Sequence, residues 1–241
     1  MSDFPWGDTT PMGLARNAAL AGHTFEDRTH AGRALADELL ALNLRGPLVV
    51  LALPRGGVPV AAEIARALGA PLDLLLVRKI GAPFQPELAV AAVVEGSPPD
   101  VVVNEDTADL PGVDEAWIQA QVPAAVREIE RRRSVYLAGR APLPVEGATV
   151  IVVDDGIATG TTLKAALRAL RRRHPARLIV AVPVGPHATM AELSDEVDEV
   201  VCLLEPRPFR AIGLHYLDFH QLADSEVCAA FDAARAIRPS C

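Results

Sequence analysis

Short apolar runs recur along this chain, and most are followed by a turn and then by a helix-spaced segment, which leaves few architectures open. The runs "PLVVLAL", "LDLLLV", "TVIVVDD", "RLIVAVPV" and "EVVCLLE" are too short for buried helices and lack the polar alternation of a strand with one wet face. Between them stand "VPVAAEIARAL", "TTLKAALRALRRR" and a short helical stretch near "ATMAELSD". Strand, turn, helix, strand is the βαβ unit, whose crossover is right-handed in nearly all proteins. The expected fold is therefore α/β, a doubly wound, mostly parallel sheet with ligands at the carboxyl ends of its strands.

Other stretches fill in around that sheet. "FEDRTHAGRALADELLAL" spaces Ala31, Leu35, Leu39 and Leu42 as a helix does, with Asp27 placed to cap it. A long helix is predicted from Asp114 to about Leu137, kinked or split at Pro123, and a final one from Asp224 to Ala236. "LDLLLV" reads as the second strand, closed by Arg78 and Lys79. From Gly81 to Gly96, Leu88–Val94 alternates as a strand between Gly/Pro-rich flanks expected to form a mobile loop, and "VVVN" reads as a short neighbour.

Composition removes several classes of function. A formal charge of −8 and a pI near 5.3 speak against a broad footprint for nucleic acid or anionic membrane, though a local basic pocket stays open. Cys202, Cys228 and Cys241 form no C-x-x-C pair, so neither a disulfide framework nor a zinc site is expected. No leader or membrane segment is read, and a cytoplasmic setting fits best. The histidines show no metal-ligand spacing, and no G-x-S-x-G or G-x-G-x-x-G turn occurs.

The chemistry concentrates in "VIVVDDGIATGTT", Val150 to Thr162. A strand runs into Asp154 and Asp155, then into a small loop that opens a helix near Thr161. Backbone N–H groups converging at a helix N-terminus form an anion site. Gly156 and Gly160 allow close approach, and Thr159, Thr161 and Thr162 add hydroxyl donors around Ile157 and Ala158. Two acids beside a phosphate repel it unless they face other groups, and adjacent sugar hydroxyls are their natural donors, at roughly 1.5–3 kcal/mol per charge-assisted bond. Ribose 5-phosphate satisfies both demands.

This stretch resembles the phosphoribosyl pyrophosphate (PRPP) motif of the type I phosphoribosyltransferases, and the chain from about Phe25 to Phe219 is similar to a bacterial branch of that family carrying "PRGG" and "VRKIGAP". The resemblance implies a 5-phosphate loop at Gly156–Thr162, with Asp154 and Asp155 on the ribose. It places "LALPRGGVPVA" as the pyrophosphate loop, often with a cis non-proline peptide, where Arg55 offers a donor fork and Gly56 and Gly57 admit the diphosphate. It implies diphosphate contacts for Arg78 and Lys79, a catalytic part for Lys79, Mg2+ carried on PRPP, and loop acids at Glu87 or Glu95. Phe209, Tyr216 and Phe219 become an acceptor hood. The implied division is an irregular arm at 1–24, a phosphoribosyltransferase-like domain at 25–220 with its hood at 205–220, and a C-terminal helix and tail at 221–241. The implied partners are PRPP and a small acceptor, without nucleic acid or membrane, leaving room for a homodimer. A non-catalytic PRPP or nucleotide sensor, or a nucleotide or ribose-phosphate hydrolase, is the rival reading.

Overall fold

The alternation predicted from the apolar runs is built as two sheets. The computed structural model describes residues 24–236 apart from 105, 106, 108, 109 and 139, so the expected N-terminal arm and the extreme C-terminal tail with Cys241 lie almost wholly outside the described residues. Helix α1 (Arg28–Ala41) starts where Asp27 accepts the His30 N–H at 2.7 Å, the predicted cap. There follow β1 (Leu48–Ala52), α2 (Gly57–Leu68), β2 (Leu72–Leu74), β3 (Val77–Ala82), β4 (Gln85–Val94), β5 (Asp100–Val103) and α3 (Glu115–Leu137). The second half is β6 (Thr149–Val153), α4 (Thr161–Arg171), β7 (Arg177–Val184), α5 (His187–Ser194), β8 (Glu199–Leu204), a 3₁₀ turn at Ile212–His215 and α6 (Asp224–Ala236).

The main sheet is five-stranded and parallel, in the order β2-β1-β6-β7-β8. Every residue of β6 is buried, because helices cover both faces. Side chains such as Val50, Ile151 and Val153 face α1, α2, α3 and α6, while Leu51, Val150 and Val152 face α4 and α5. The sheet is thus doubly wound, as the continuous apolar runs require.

Two expectations change. "LDLLLV" is not one strand: β2 ends at Leu74, and Leu75 and Leu76 carry the chain across to a separate antiparallel sheet ordered β3-β4-β5. Both leucines are buried in the crossing, and their N–H and C=O groups bond to Ala52 on one side and Glu95 on the other, so an apolar run that reads as one strand is a handover between sheets. Likewise, the expected loop flank before Leu88 is mostly strand, since β3 reaches Ala82, a tight turn spans Pro83 and Phe84, and β4 begins at Gln85, while the flank after Val94 is irregular up to Asp100, as expected. Helix α3 also runs unsplit through Pro123, whose exposure leaves the carbonyl it cannot pair on the solvent side.

Candidate functional site

Parallel pairing of β1 with β6 aligns Ala52 with Val153, so the two strands deliver their carboxyl ends side by side. "PRGG" follows one end and Asp154–Asp155 the other. The turn is sewn to the neighbouring strand by the Leu53 N–H on the Val153 carbonyl at 2.9 Å, and the Pro54–Arg55 peptide is cis. A side chain at Gly56 would begin 1.9 Å from Oδ2 of Asp155, and one at Gly57 would begin 2.6 Å from the Val153 carbonyl oxygen. Only glycine at both places lets the turn and the acids touch.

Beyond the acids, the loop has a buried root and an exposed crest. Ile157 is buried, and its N–H donates to Val184 O at 3.0 Å. The crest of Ala158, Thr159 and Thr161 is exposed, and the Thr189 hydroxyl donates to the Ala158 carbonyl at 2.9 Å. Gly160, at φ 69°, takes the left-handed conformation from which α4 starts. Free N–H groups of a helical first turn beside an exposed hydroxyl crest are suited to a phosphate.

The acids differ from each other. The Asp155 carboxylate is buried and accepts from Arg28 Nε at 2.7 Å, while its backbone N–H donates to Asp154 Oδ1 at 2.8 Å. Burial, and then the adjacent charge of Asp155, push the Asp154 carboxyl well above the usual range, with Arg28 pulling weakly the other way. Asp154 keeps partial solvent access, whereas Asp155 is buried.

The predicted cations fall in different neighbourhoods. Arg55 is half-exposed at the turn, with its Nη1 3.8 Å from Asp224 at the start of α6. Arg78 and Lys79 do not close a parallel strand; both are exposed on β3, and as adjacent strand residues they face opposite ways. Lys79 lines a cleft of about 180 Å³ with Thr161, Thr162 and Asn104, so the structure gathers Lys79, but not Arg78, beside the first turn of α4. Glu87 bonds Lys79 at 2.7 Å on the hairpin, and that bond holds its carboxyl below the usual range. Glu95 follows the end of β4 but turns into the fold: it is mostly buried and pairs with Arg133 at 3.0 Å, and burial pushes it up to about 7.

The hood residues also divide. Phe209 is partly exposed and stacks on His215, with ring centroids 6.3 Å apart. Tyr216 is buried, its hydroxyl donating to the Asp155 carbonyl at 2.6 Å, and Phe219 stacks on it at 4.9 Å. The ring of Tyr216 is therefore committed to holding the acid pair rather than free to stack on an acceptor.

Residues 26–218 match the Phosphoribosyl transferase domain family. The chain belongs to that family. Two Mycobacterium tuberculosis relatives, from strains CDC 1551 and H37Rv, are each 45% identical over 210 residues, 87% of this chain, and carry provisional phosphoribosyl transferase names. The match covers 47% of each, so the chain spans about half the length of these relatives. The crystal structure of TT1426 from Thermus thermophilus superposes with a TM-score of 0.75 at 41% identity, over 86% of this chain and 97% of that one.

Sequence reasoning missed Arg28. One signal was available: a cation in the first turn of a helix opposes the macrodipole and needs a reason to be there.

Proposed function

We propose that this phosphoribosyl transferase domain transfers the ribose 5-phosphate unit of PRPP to a nitrogenous acceptor, a base or an amine, and releases pyrophosphate. The observation that carries the reading is the contact of Gly56 and Gly57 with Asp154 and Asp155 beside the Gly156–Thr162 crest. The 5-phosphate sits on that crest. The 2- and 3-hydroxyls of ribose meet the acids, and the diphosphate lies over "PRGG" toward Arg55. The nitrogen lone pair forms the bond to C1 as the C1–O bond breaks, the electrons of the C1–O bond leave with pyrophosphate, and the proton of the acceptor nitrogen passes to solvent or to the departing pyrophosphate. Asp154 and Asp155 stabilise the positive charge that develops on the ring.

Mg2+ enters as part of the substrate, carried on PRPP oxygens, where it offsets diphosphate charge. Among the described residues no cluster of three or more acid, histidine or cysteine side chains is positioned to hold a metal by itself. Lys79 serves the departing diphosphate from the hairpin side, with Arg78 as a more distant counter-charge. The β3–β4 hairpin closes over the site during transfer, and Phe209 in the 205–220 hood contacts the acceptor. The 25–220 domain holds the whole site, and 221–236 buttresses it through Asp224. No helix among the described residues is long and apolar enough to cross a membrane, and the domain works in the cytoplasm on small molecules without nucleic acid.

Titration calorimetry with Mg-PRPP, followed by pyrophosphate release across a panel of bases and amines, tests this. Wild-type protein is expected to bind PRPP and release pyrophosphate only with an acceptor. Arg55→Ala is expected to weaken PRPP and pyrophosphate about tenfold or more while sparing ribose 5-phosphate. Binding without turnover indicates a sensor, turnover without acceptor indicates a hydrolase, and no binding at millimolar PRPP removes the reading.

A further inference from the structure

Arg28 lies outside the phosphate crest, the PRGG turn and the β3 cations, yet it is one of the few buried charges among the described residues. Burying a guanidinium in the first turn of a helix costs both desolvation and dipole energy, and a fold that needed only packing there is served as well by an apolar side chain. Two of its three contacts lead to one acid. Nε donates to Asp155 Oδ2 at 2.7 Å, Nη1 donates to the His220 carbonyl at 3.0 Å, and the guanidinium carbon sits 4.0 Å over the ring of Phe219. Phe219 stacks on Tyr216, whose hydroxyl grips the main chain of the same Asp155. Burial pushes that hydroxyl far up, so it remains a donor at any working pH.

We propose that Arg28 is a positioning residue: with Tyr216 and Phe219 it fixes Asp155 in one orientation as the acceptor for a ribose hydroxyl, leaving Asp154 as the adjustable acid of the pair. The ligand in this inference rests on the phosphoribosyltransferase reading, whereas the clamp itself does not. Two acids this close titrate as a unit, with two steps that belong to the pair. The charged and titratable groups facing the acids and Arg28 are Asp27 at the cap of α1 and Tyr216, Asp218 and His220 from the hood, besides Arg28 itself. Arg28 is the permanent cation among them, so its removal raises the upper step of the pair. It also frees the Asp155 carboxylate to swing, which weakens ligands that carry ribose hydroxyls and spares those that do not.

The test uses the full chain with Arg28→Met, Arg28→Lys and Phe219→Leu. Carboxyl-carbon NMR of aspartate-labelled, ligand-free protein reads the titration between about pH 4 and 9, and calorimetry reads Mg-PRPP, ribose 5-phosphate and pyrophosphate. Arg28→Met is expected to move the upper step of the acid pair up by about 1–3 pH units. It is expected to weaken PRPP and ribose 5-phosphate about tenfold while changing pyrophosphate less than about twofold. Arg28→Lys restores the titration step but only part of the affinity, because a point charge replaces a fork. If Arg28→Met does not fold, Phe219→Leu decides, since it keeps the cation and loosens its seat: weaker ribose 5-phosphate with unchanged pyrophosphate supports the clamp. Wild-type binding of PRPP with unchanged affinity and titration in a folded variant overturns the inference alone. Failure of the wild type to bind either sugar phosphate overturns the functional reading and the ribose role together.

Discussion

Two buried arginine–aspartate pairs stand among the described residues, and they are built differently. Arg133 donates from Nη2 to both oxygens of Asp73 at 3.1 and 3.0 Å, from Nη1 to Glu95 at 3.1 Å and from Nε to the Arg140 carbonyl at 2.7 Å. Asp73 in turn accepts the N–H groups of Leu74 and Leu143 at 2.8 and 2.7 Å. Every element that meets there is tied to another: β2, α3, the end of β4 and the segment before β6. Arg28 instead reaches Asp155 through a single 2.7 Å bond, with the glycines of PRGG packed directly against the acids. A saturated pair is a joint of the fold, while a pair whose acid keeps acceptor capacity to spare is what a ligand site requires.

The largest effect separates the two pairs. Arg133→Met strands Asp73 in a buried position and is expected to cost about 3–5 kcal/mol of stability. Arg28→Met, which removes one bond to Asp155 and one to the His220 carbonyl, is expected to cost about 1–3 kcal/mol. Urea unfolding of both variants beside wild type measures this, and equal losses would erase the distinction.

A smaller effect tests the saturated joint from inside. Burial raises Glu95 from an ordinary 4.5 to about 7 against the pull of Arg133, with Asp73 pushing the same way as burial. The native state therefore holds its proton more tightly than the unfolded chain, and the stability so gained is complete below about pH 4.5 and lost as pH rises through 7. The loss is at most about 3 kcal/mol. Glu95→Gln, which mimics the protonated acid, is expected to match wild type at pH 5 and exceed it at pH 8. A difference between the two proteins that stays constant with pH would show that the ion pair with Arg133, not burial, governs this acid.

The same contrast shows what a sequence of this kind can reveal. The acid pair, the Gly156–Thr162 loop and PRGG were legible because each occupies a few consecutive residues whose types have one physical use, and the parallel sheet was legible because apolar runs need cover on both faces. Arg28, and the tie of Tyr216 to the acids beyond its reading as a hood aromatic, were not, since their partner Asp155 lies more than a hundred residues away from the first and is met by the second only when the hood folds back on the start of α1. The Leu217 N–H on the Phe25 carbonyl at 2.8 Å and the Asp218 N–H on Glu26 at 2.9 Å make that return. Glu95 misled for a related reason. Its Gly-Ser-Pro-Pro neighbours read as loop, and the buried Arg133 that captures it sits in an arginine run whose composition reads as an exposed helix end.

The smallest expected stability change concerns the hairpin tip. Phe84 is 91% exposed in the turn between β3 and β4, so Phe84→Ala removes almost no buried area and should shift stability by less than about 0.5 kcal/mol. The tip is nevertheless shaped, not slack. The β3–β4 register shifts on both sides of Gly81, where a side chain would begin 2.0 Å from the Pro86 carbonyl oxygen, and such irregularities bend and twist a hairpin. Lys79 stands two residues before this bend and already faces the cleft beside Thr161 and Thr162. If the bent tip swings over bound PRPP, Phe84 gains cover only in the closed state, and the alanine variant should lose turnover several-fold more than PRPP affinity. Steady-state rates beside calorimetric affinities read that split. Identical turnover in wild type and Phe84→Ala, at unchanged stability, would leave the antiparallel sheet as a static support for Lys79 and confine the moving parts of the reaction to the acid pair and its hood.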